Sequence, residues 1–303
     1  MVVVQGGMAR AGWTCGGVVA LVLSAACSGD PATDVEAGGG APTVSTQGAE
    51  LYRGTIAVLE DGDGSPQLCQ GMLDSMPPQC DGVAVSGWSW AVVDGEETYG
   101  DVTWGTFEVT VTEEGEALTL VSAGPPGAPS ESLPEPDYST PCPEPDGGWA
   151  TTVDRSRLAL ADFTAFGDYL GAAKDISATW VDNSTDPKFD PDDLGSYVFD
   201  PAAVVTNIRF VSDAPRHERE IRAIWGGPIC VLEGGVARSE LGDLVESISA
   251  EDDHGGGGYV DEVRGRVVLT PLLEDPALEQ ELRARYDPIE IAFEPVLRLV
   301  QDG

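Results

Sequence analysis

A near-repeat in the second half of the chain constrains the fold more than any other feature. Trp180-Val181-Asp182 leads, after an acidic insertion, to a strand-like run over 204–211, a helical run over about 213–225 and a strand-like run over 228–232. Tyr259-Val260-Asp261 leads in the same way to a strand over 266–273, a helix over 275–286 and a strand over 289–293. Each unit, 178–232 and 259–300, reads strand, strand, helix, strand. The first helix carries His217, Ile221, Ile224 and Trp225 on one stripe, and the second carries Leu278, Leu282 and Tyr286, the spacing of a helix with one buried face. Asp275-Pro276 supplies an N-cap and a proline suited to the first helical turn. Ile289, Ile291 and Phe293 alternate with Glu290, Ala292 and Glu294, as a half-buried strand does. A helix over about 239–249 separates the units, and another over about 154–169 opens this part of the chain.

The preceding part has a different rhythm. Strand-like runs occupy 52–59, 67–70, 83–93, 102–112 and 117–121, broken by turn signals such as Asp94-Gly95 and Glu114-Gly115-Glu116. So many short strands in so short a stretch predict a small all-β barrel or sandwich. A proline-rich acidic segment follows. The expected organisation is a signal peptide over 1–26, a lipidated cysteine and flexible tether over 27–48, and an all-β module over 49–123. A linker over 124–147 then leads to an α+β domain over 148–303. The fold class is α+β.

The N-terminus reads as an export signal. Arg10 is the only charge before an apolar run over 16–26 that ends in Leu23-Ser24-Ala25-Ala26-Cys27. A positive start, a short apolar core and small residues before the cleavage point are the parts of a secretory signal, and the run is shorter than the ~20 residues a spanning helix needs. Met1 and Met8 are both candidate starts. The final tetrapeptide resembles the lipobox of bacterial lipoproteins, with leucine one place further from the cysteine than usual. That resemblance implies that Cys27 is acylated and holds the protein to the lipid bilayer, at the extracellular face of the bacterial cytoplasmic membrane. Residues 28–48 hold no apolar residue larger than valine and are rich in Gly, Ala, Thr, Ser and Pro, and a flexible chain of that length spans about 25 Å.

Six cysteines sort by this reading. Cys15 leaves with the signal and Cys27 takes the lipid, so Cys69, Cys80, Cys142 and Cys230 remain. An even number in an exported chain reads as disulfides. Of the three connectivities, 69–80 with 142–230 is favoured, because Cys69 and Cys80 bracket one short turn-rich excursion.

The chain carries 52 acids against 16 bases, a formal charge of −36. Nucleic-acid affinity rests on Lys and Arg displacing counterions, so no nucleic acid is expected as a partner. The same charge repels anionic lipid from the body of the protein.

Leu68-Cys69-Gln70-Gly71, Pro77-Pro78-Gln79-Cys80, Gly87-Trp88-Ser89-Trp90 and Trp104-Gly105-Thr106-Phe107 resemble a module of uncharacterised actinobacterial secreted and lipoprotein chains. Cys142-Pro143-Glu144-Pro145 and Trp225-Gly226-Gly227-Pro228-Ile229-Cys230-Val231 are similar to the later part of the same proteins. This resemblance implies an exported protein and brings no activity with it. The repeated units also loosely resemble the pro-regions of secreted streptogrisin-type proteases.

No complete catalytic motif is present. His217-Glu218 begins like a zinc-protease helix, but the second histidine would fall at Ile221, so His217 reads as a packing or boundary residue. His254, after Glu251-Asp252-Asp253 and before four glycines, reads as part of a solvated loop. Asp61-Gly62-Asp63-Gly64-Ser65 opens like a calcium loop, yet Met72 stands where a bidentate glutamate is needed. Asp190, Asp192 and Asp193 offer oxygens without a recognisable frame. No cofactor and no dedicated metal site is expected. Trp88 and Trp90, placed on one face of a strand over 83–93, and Trp104 on the next long strand are the candidate ligand surface if they face water; core packing is the competing reading. The expected function is a non-catalytic, membrane-anchored binding protein for an envelope protein or glycan. A cell-wall hydrolase or its accessory, using paired carboxylates, is the alternative, and a protease-regulating domain is a third.

Overall fold

The structure is a computed structural model that describes residues 49–62, 64–115, 117–128, 132–251 and 256–300. Cys27 and the export signal, Asp63 of the acidic turn, and Asp252, Asp253 and His254 lie outside the described residues. The described chain is α+β, with thirteen strands in three sheets and four α-helices.

The first sheet is built on two long strands. β1 (Leu51–Asp61) and β5 (Val102–Glu114) pair antiparallel along their whole length, from Leu51 opposite Thr112 to Asp61 opposite Val102. β2 (Gln67–Cys69), β3 (Val83–Ser86) and β6 (Ala117–Gly124) continue the pairing from β1 round to β5, with β3 and β6 parallel, and β4 (Glu97–Tyr99) adds to the outer edge of β5. This circuit is the strand order of a five-stranded, partly open Greek-key barrel. The joints through β2 and β3 are only two or three residue pairs long, so the sheet curls on itself without closing into a continuous cylinder. Inward-facing Ile56, Val58, Phe107, Val109 and Val111 fill it, in the alternation expected of strands with one wet face.

The run over 83–93 is not one strand. Gly87, at φ +79°, turns the chain after Ser86, and the backbone then enters a single 3-10 turn, Trp90–Val92. A residue with a side chain rarely adopts that φ, so the glycine ends the strand before either tryptophan.

Two further sheets repeat one pattern. In the first, α1 (Leu160–Ala172) precedes β7 (Ile176–Asp182), β8 (Val205–Phe210), α2 (Ala214–Ile224) and β9 (Ile229–Glu233). In the second, α3 (Arg238–Ser249) precedes β10 (Gly257–Asp261), β11 (Arg266–Thr270), α4 (Pro276–Arg285) and β12 (Ile291–Phe293). Each sheet has an antiparallel pair followed by a parallel strand that returns through a helix. The helices read from the sequence as an opening and a separating helix are thus equivalent members of the two units. The first begins later than its sequence pattern suggests, because Asp154 instead caps a short 3-10 turn and pairs its N–H with the Gly226 carbonyl.

The last strand among the described residues returns to the first sheet. β13 (Arg298–Leu299) pairs with Tyr52 and Arg53 of β1, beyond the end of β2. Gly54 permits this approach, since a Cβ there would lie 2.3 Å from the Val296 carbonyl oxygen. Leu272, Leu273 and Leu297, from the second repeat and the tail, complete the core of the first sheet. The segment over 124–147, read from its composition as a linker, is fastened at several of its described residues. The Leu133 N–H donates to Glu294 (2.7 Å), Arg264 donates to the Glu135 carbonyl (2.7 Å), and the Thr140 N–H donates to Asp182 (2.7 Å).

Candidate functional site

Both disulfides join the pairs favoured from the sequence, Cys69 with Cys80 and Cys142 with Cys230, at Cα separations of 5.9 and 5.8 Å. Such bonds mark a chain that matures in an oxidising, extracellular compartment. Among the described residues no helix is long and apolar enough to cross a membrane.

The three candidate tryptophans do not form one surface. Trp88 packs edge-on against Trp90 and Phe107, each at a centroid distance of 5.2 Å, on the core side of β5. The Trp90 indole N–H donates to Glu60. Trp104 and Phe107 stand an odd number of places apart on β5 and so point to opposite faces. Trp104 is half-buried there, opposite Leu59 and Glu97. The strand ending at Ser86 is what separates the pair from Trp104.

His217 is the buried member of a polar chain that its sequence neighbours do not announce. It is 3% exposed, stacked on Phe210, with Nδ1 2.6 Å from the Tyr169 hydroxyl and Nε2 2.9 Å from Asp175 Oδ2. Tyr169 donates its single proton to Glu220 (2.8 Å), so Nδ1–H donates to the phenol oxygen, while Nε2 faces both Asp175 and the Arg216 guanidinium (2.8 Å). Burial, then the bond and charge of Glu220, push the Tyr169 hydroxyl up to about 12. A phenol so held remains protonated and acts as a clip between α1 and α2. The partners come from three separate elements, which is why spacing along the sequence gave no sign of them.

A second buried polar group closes the other repeat. Asp261, at the end of β10, accepts from Arg264 (2.9 Å) and Arg266 (3.0 Å), and Arg266 also reaches Glu290 (2.9 Å). Burial raises the Asp261 carboxyl, but the bonds from the two arginines outweigh it and hold the group below its ordinary value.

The cleft between α3 and α4 has the character of a ligand site. Its cavity is about 120 Å³, with a floor of Ile248, Leu269, Pro271, Leu282 and Phe293. Leu278, on the first turn of α4, is 44% exposed within it. Asp275 starts that helix, its Oδ1 accepting from the Ala277 and Leu278 N–H groups at 2.9 and 3.0 Å. Glu279 pairs with Arg283 (3.1 Å), whose guanidinium lies over the Phe293 ring. Glu251 stands on the rim, 3.6 Å from Arg285, which also holds Glu281. At the corresponding place in the first repeat, the ring of Phe210 lies flat on that of His217. Sequence patterning placed Leu278 and Leu282 on the buried stripe of α4; that, among the described residues, α3 leaves part of this stripe uncovered is a tertiary fact.

Among the described residues, no group of three or more His, Cys, Asp or Glu side chains converges as a metal site. Asp190 and Asp193 instead bond within their own loop, to the Asp192 N–H and the Ser196 hydroxyl. No protein-family model, curated protein or solved structure matches the chain.

Proposed function

We propose that this protein is a non-catalytic binding protein of the bacterial cell envelope, held at the extracellular face of the cytoplasmic membrane by an acylated Cys27, and that the cleft between α3 and α4 is its ligand site. One observation carries the binding reading: among the described residues the second repeat leaves open an apolar cleft lined by Pro271 and Leu278, at the place where the first repeat stacks Phe210 on His217. An apolar pocket with a few fixed polar groups at its mouth is the usual form of a small-ligand site. The rim charges favour binding over acid–base chemistry, since Asp275 is committed to capping α4 and Glu279 to Arg283. The cavity is somewhat smaller than the roughly 150 Å³ apolar cavity that holds benzene, so the ligand inserts one compact group, a side chain or ring of an envelope component. The anchor reading rests on the lipobox-like Leu23-Ser24-Ala25-Ala26-Cys27 and agrees with the resemblance to actinobacterial lipoprotein chains.

Mass spectrometry of the mature N-terminus tests the anchor. An acylated Cys27 as first residue supports it, and a free cysteine or cleavage elsewhere overturns it. Photo-crosslinking from a probe residue at position 278 in intact cells tests the cleft; a defined adduct lost on Leu282→Trp supports it, and absence of any adduct counts against it.

A further inference from the structure

The register of the two repeats specifies what the open cleft lacks. Trp180 pairs with Asn207, and Tyr259 pairs with Val268, so Asn207 and Val268 hold the same position. Three residues further on stand Phe210 in the first repeat and Pro271 in the second. The same shift carries the stripe His217, Ile221 and Trp225 onto Leu278, Leu282 and Tyr286. In the first repeat Phe210 and His217 are parallel rings, with centroids 3.6 Å apart and planes 3° from coplanar. In the second repeat their counterparts, Pro271 and Leu278, line the cleft. The open space therefore lies where the first repeat holds two stacked planar rings.

Each place also has a carboxylate close by. Asp175 Oδ2, on the connection from α1 to β7, lies 2.9 Å from Nε2 of His217. Glu251, on the equivalent connection from α3 to β10, stands at the rim of the cleft with its side chain 65% exposed. Its partner, Arg285, pairs with Glu281 as well. The chain's formal charge of −36 further favours a positive ligand.

We infer that the cleft takes a planar aromatic ring bearing a protonated nitrogen. The ring lies over Pro271 and Leu278 in the place of the Phe210–His217 pair, and the nitrogen donates to Glu251. The inference rests on the cleft being the ligand site and adds the chemistry of the ligand.

Benzylamine, benzyl alcohol, benzoate and cyclohexylmethylamine, titrated into the full mature chain and followed by NMR, test it. Benzylamine is expected to bind at least tenfold more tightly than benzoate or cyclohexylmethylamine. Glu251→Gln is expected to remove most of its advantage over benzyl alcohol. Leu278→Trp, which refills the cleft with a ring, is expected to abolish binding of every probe, and Glu251→Gln serves alone should that variant fail to fold. Equal binding of all four probes, blocked by Leu278→Trp, overturns the ring-and-cation chemistry while leaving the cleft as a ligand site. No saturable binding by any probe overturns the inference and the cleft reading together.

Discussion

Phe210 lies flat against His217, ring centroids 3.6 Å apart, and through this contact the end of β8 is fastened to the buried stripe of α2. The imidazole then passes the connection outward, to Tyr169 on α1 and to Asp175 ahead of β7. One side chain thus joins both faces of a βαβ turn and the helix that covers it.

His217→Ala removes the stack and leaves polar groups of Tyr169 and Asp175 without this partner. The expected loss is about 2–3 kcal/mol, read from urea unfolding midpoints at neutral pH. A loss below about 0.5 kcal/mol would show that the network is incidental to stability.

Tyr169 titrates late. Its hydroxyl is pushed up to about 12, against about 10 for a free tyrosine. Because the folded value is the higher one, its contribution to stability is complete below about pH 10 and is lost as the pH rises through about 12. The difference in phenolate absorbance between wild type and Tyr169→Phe should show a tyrosine ionising near pH 12. One ionising near pH 10 would contradict the clip.

Asp261 behaves in the opposite sense. Its folded value lies below the ordinary one, so its contribution is present above the ordinary carboxyl range and disappears as the pH falls through the depressed folded value. Arg266→Met leaves the buried carboxylate short of a partner and is expected to cost about 3 kcal/mol at pH 7. Asp261→Asn should flatten the acid limb of a stability–pH curve. An unchanged acid limb would place the main acid-sensitive group elsewhere.

Trp88 and Trp104 separate the two readings of the tryptophans. Trp88→Ala, which deletes a ring packed on Phe107, should cost about 3 kcal/mol. Trp104→Ala, on the other face of β5, should cost less than half as much. Equal losses would mean that both faces of the strand are comparably packed.

The Cys142–Cys230 bond closes a long loop, with a sequence separation of 88. Cys142→Ser with Cys230→Ser is expected to lower stability by about 4.5 kcal/mol on the chain-entropy estimate. It should also speed protease cleavage within residues 132–140, whose remaining ties are single hydrogen bonds. Unchanged cleavage would show that those bonds hold the segment without the disulfide.

The sequence by itself determined the elements that obey local rules. The Leu278, Leu282, Tyr286 stripe and the Asp275-Pro276 start gave α4, and Ile289, Ile291 and Phe293 gave the strand after it, because periodicity and capping are encoded within a few residues. The two repeats were legible for the same reason, as were the favoured cysteine pairs. Tertiary structure alone decided what those elements meet. Gly87 turned Trp88 and Trp90 away from the face of Trp104. Leu272, Leu273 and Leu297 entered the core of a sheet formed more than a hundred residues earlier, and His217 found partners on α1, on the connection before β7 and on β8. The cleft is decided there too. Leu278 and His217 stand at equivalent places on equivalent helices, yet one is buried under a packed neighbour and the other faces open space. A stripe of apolar residues specifies that a helix has a face to cover, whereas the shape and distance of the element opposite decide how much of that face is covered.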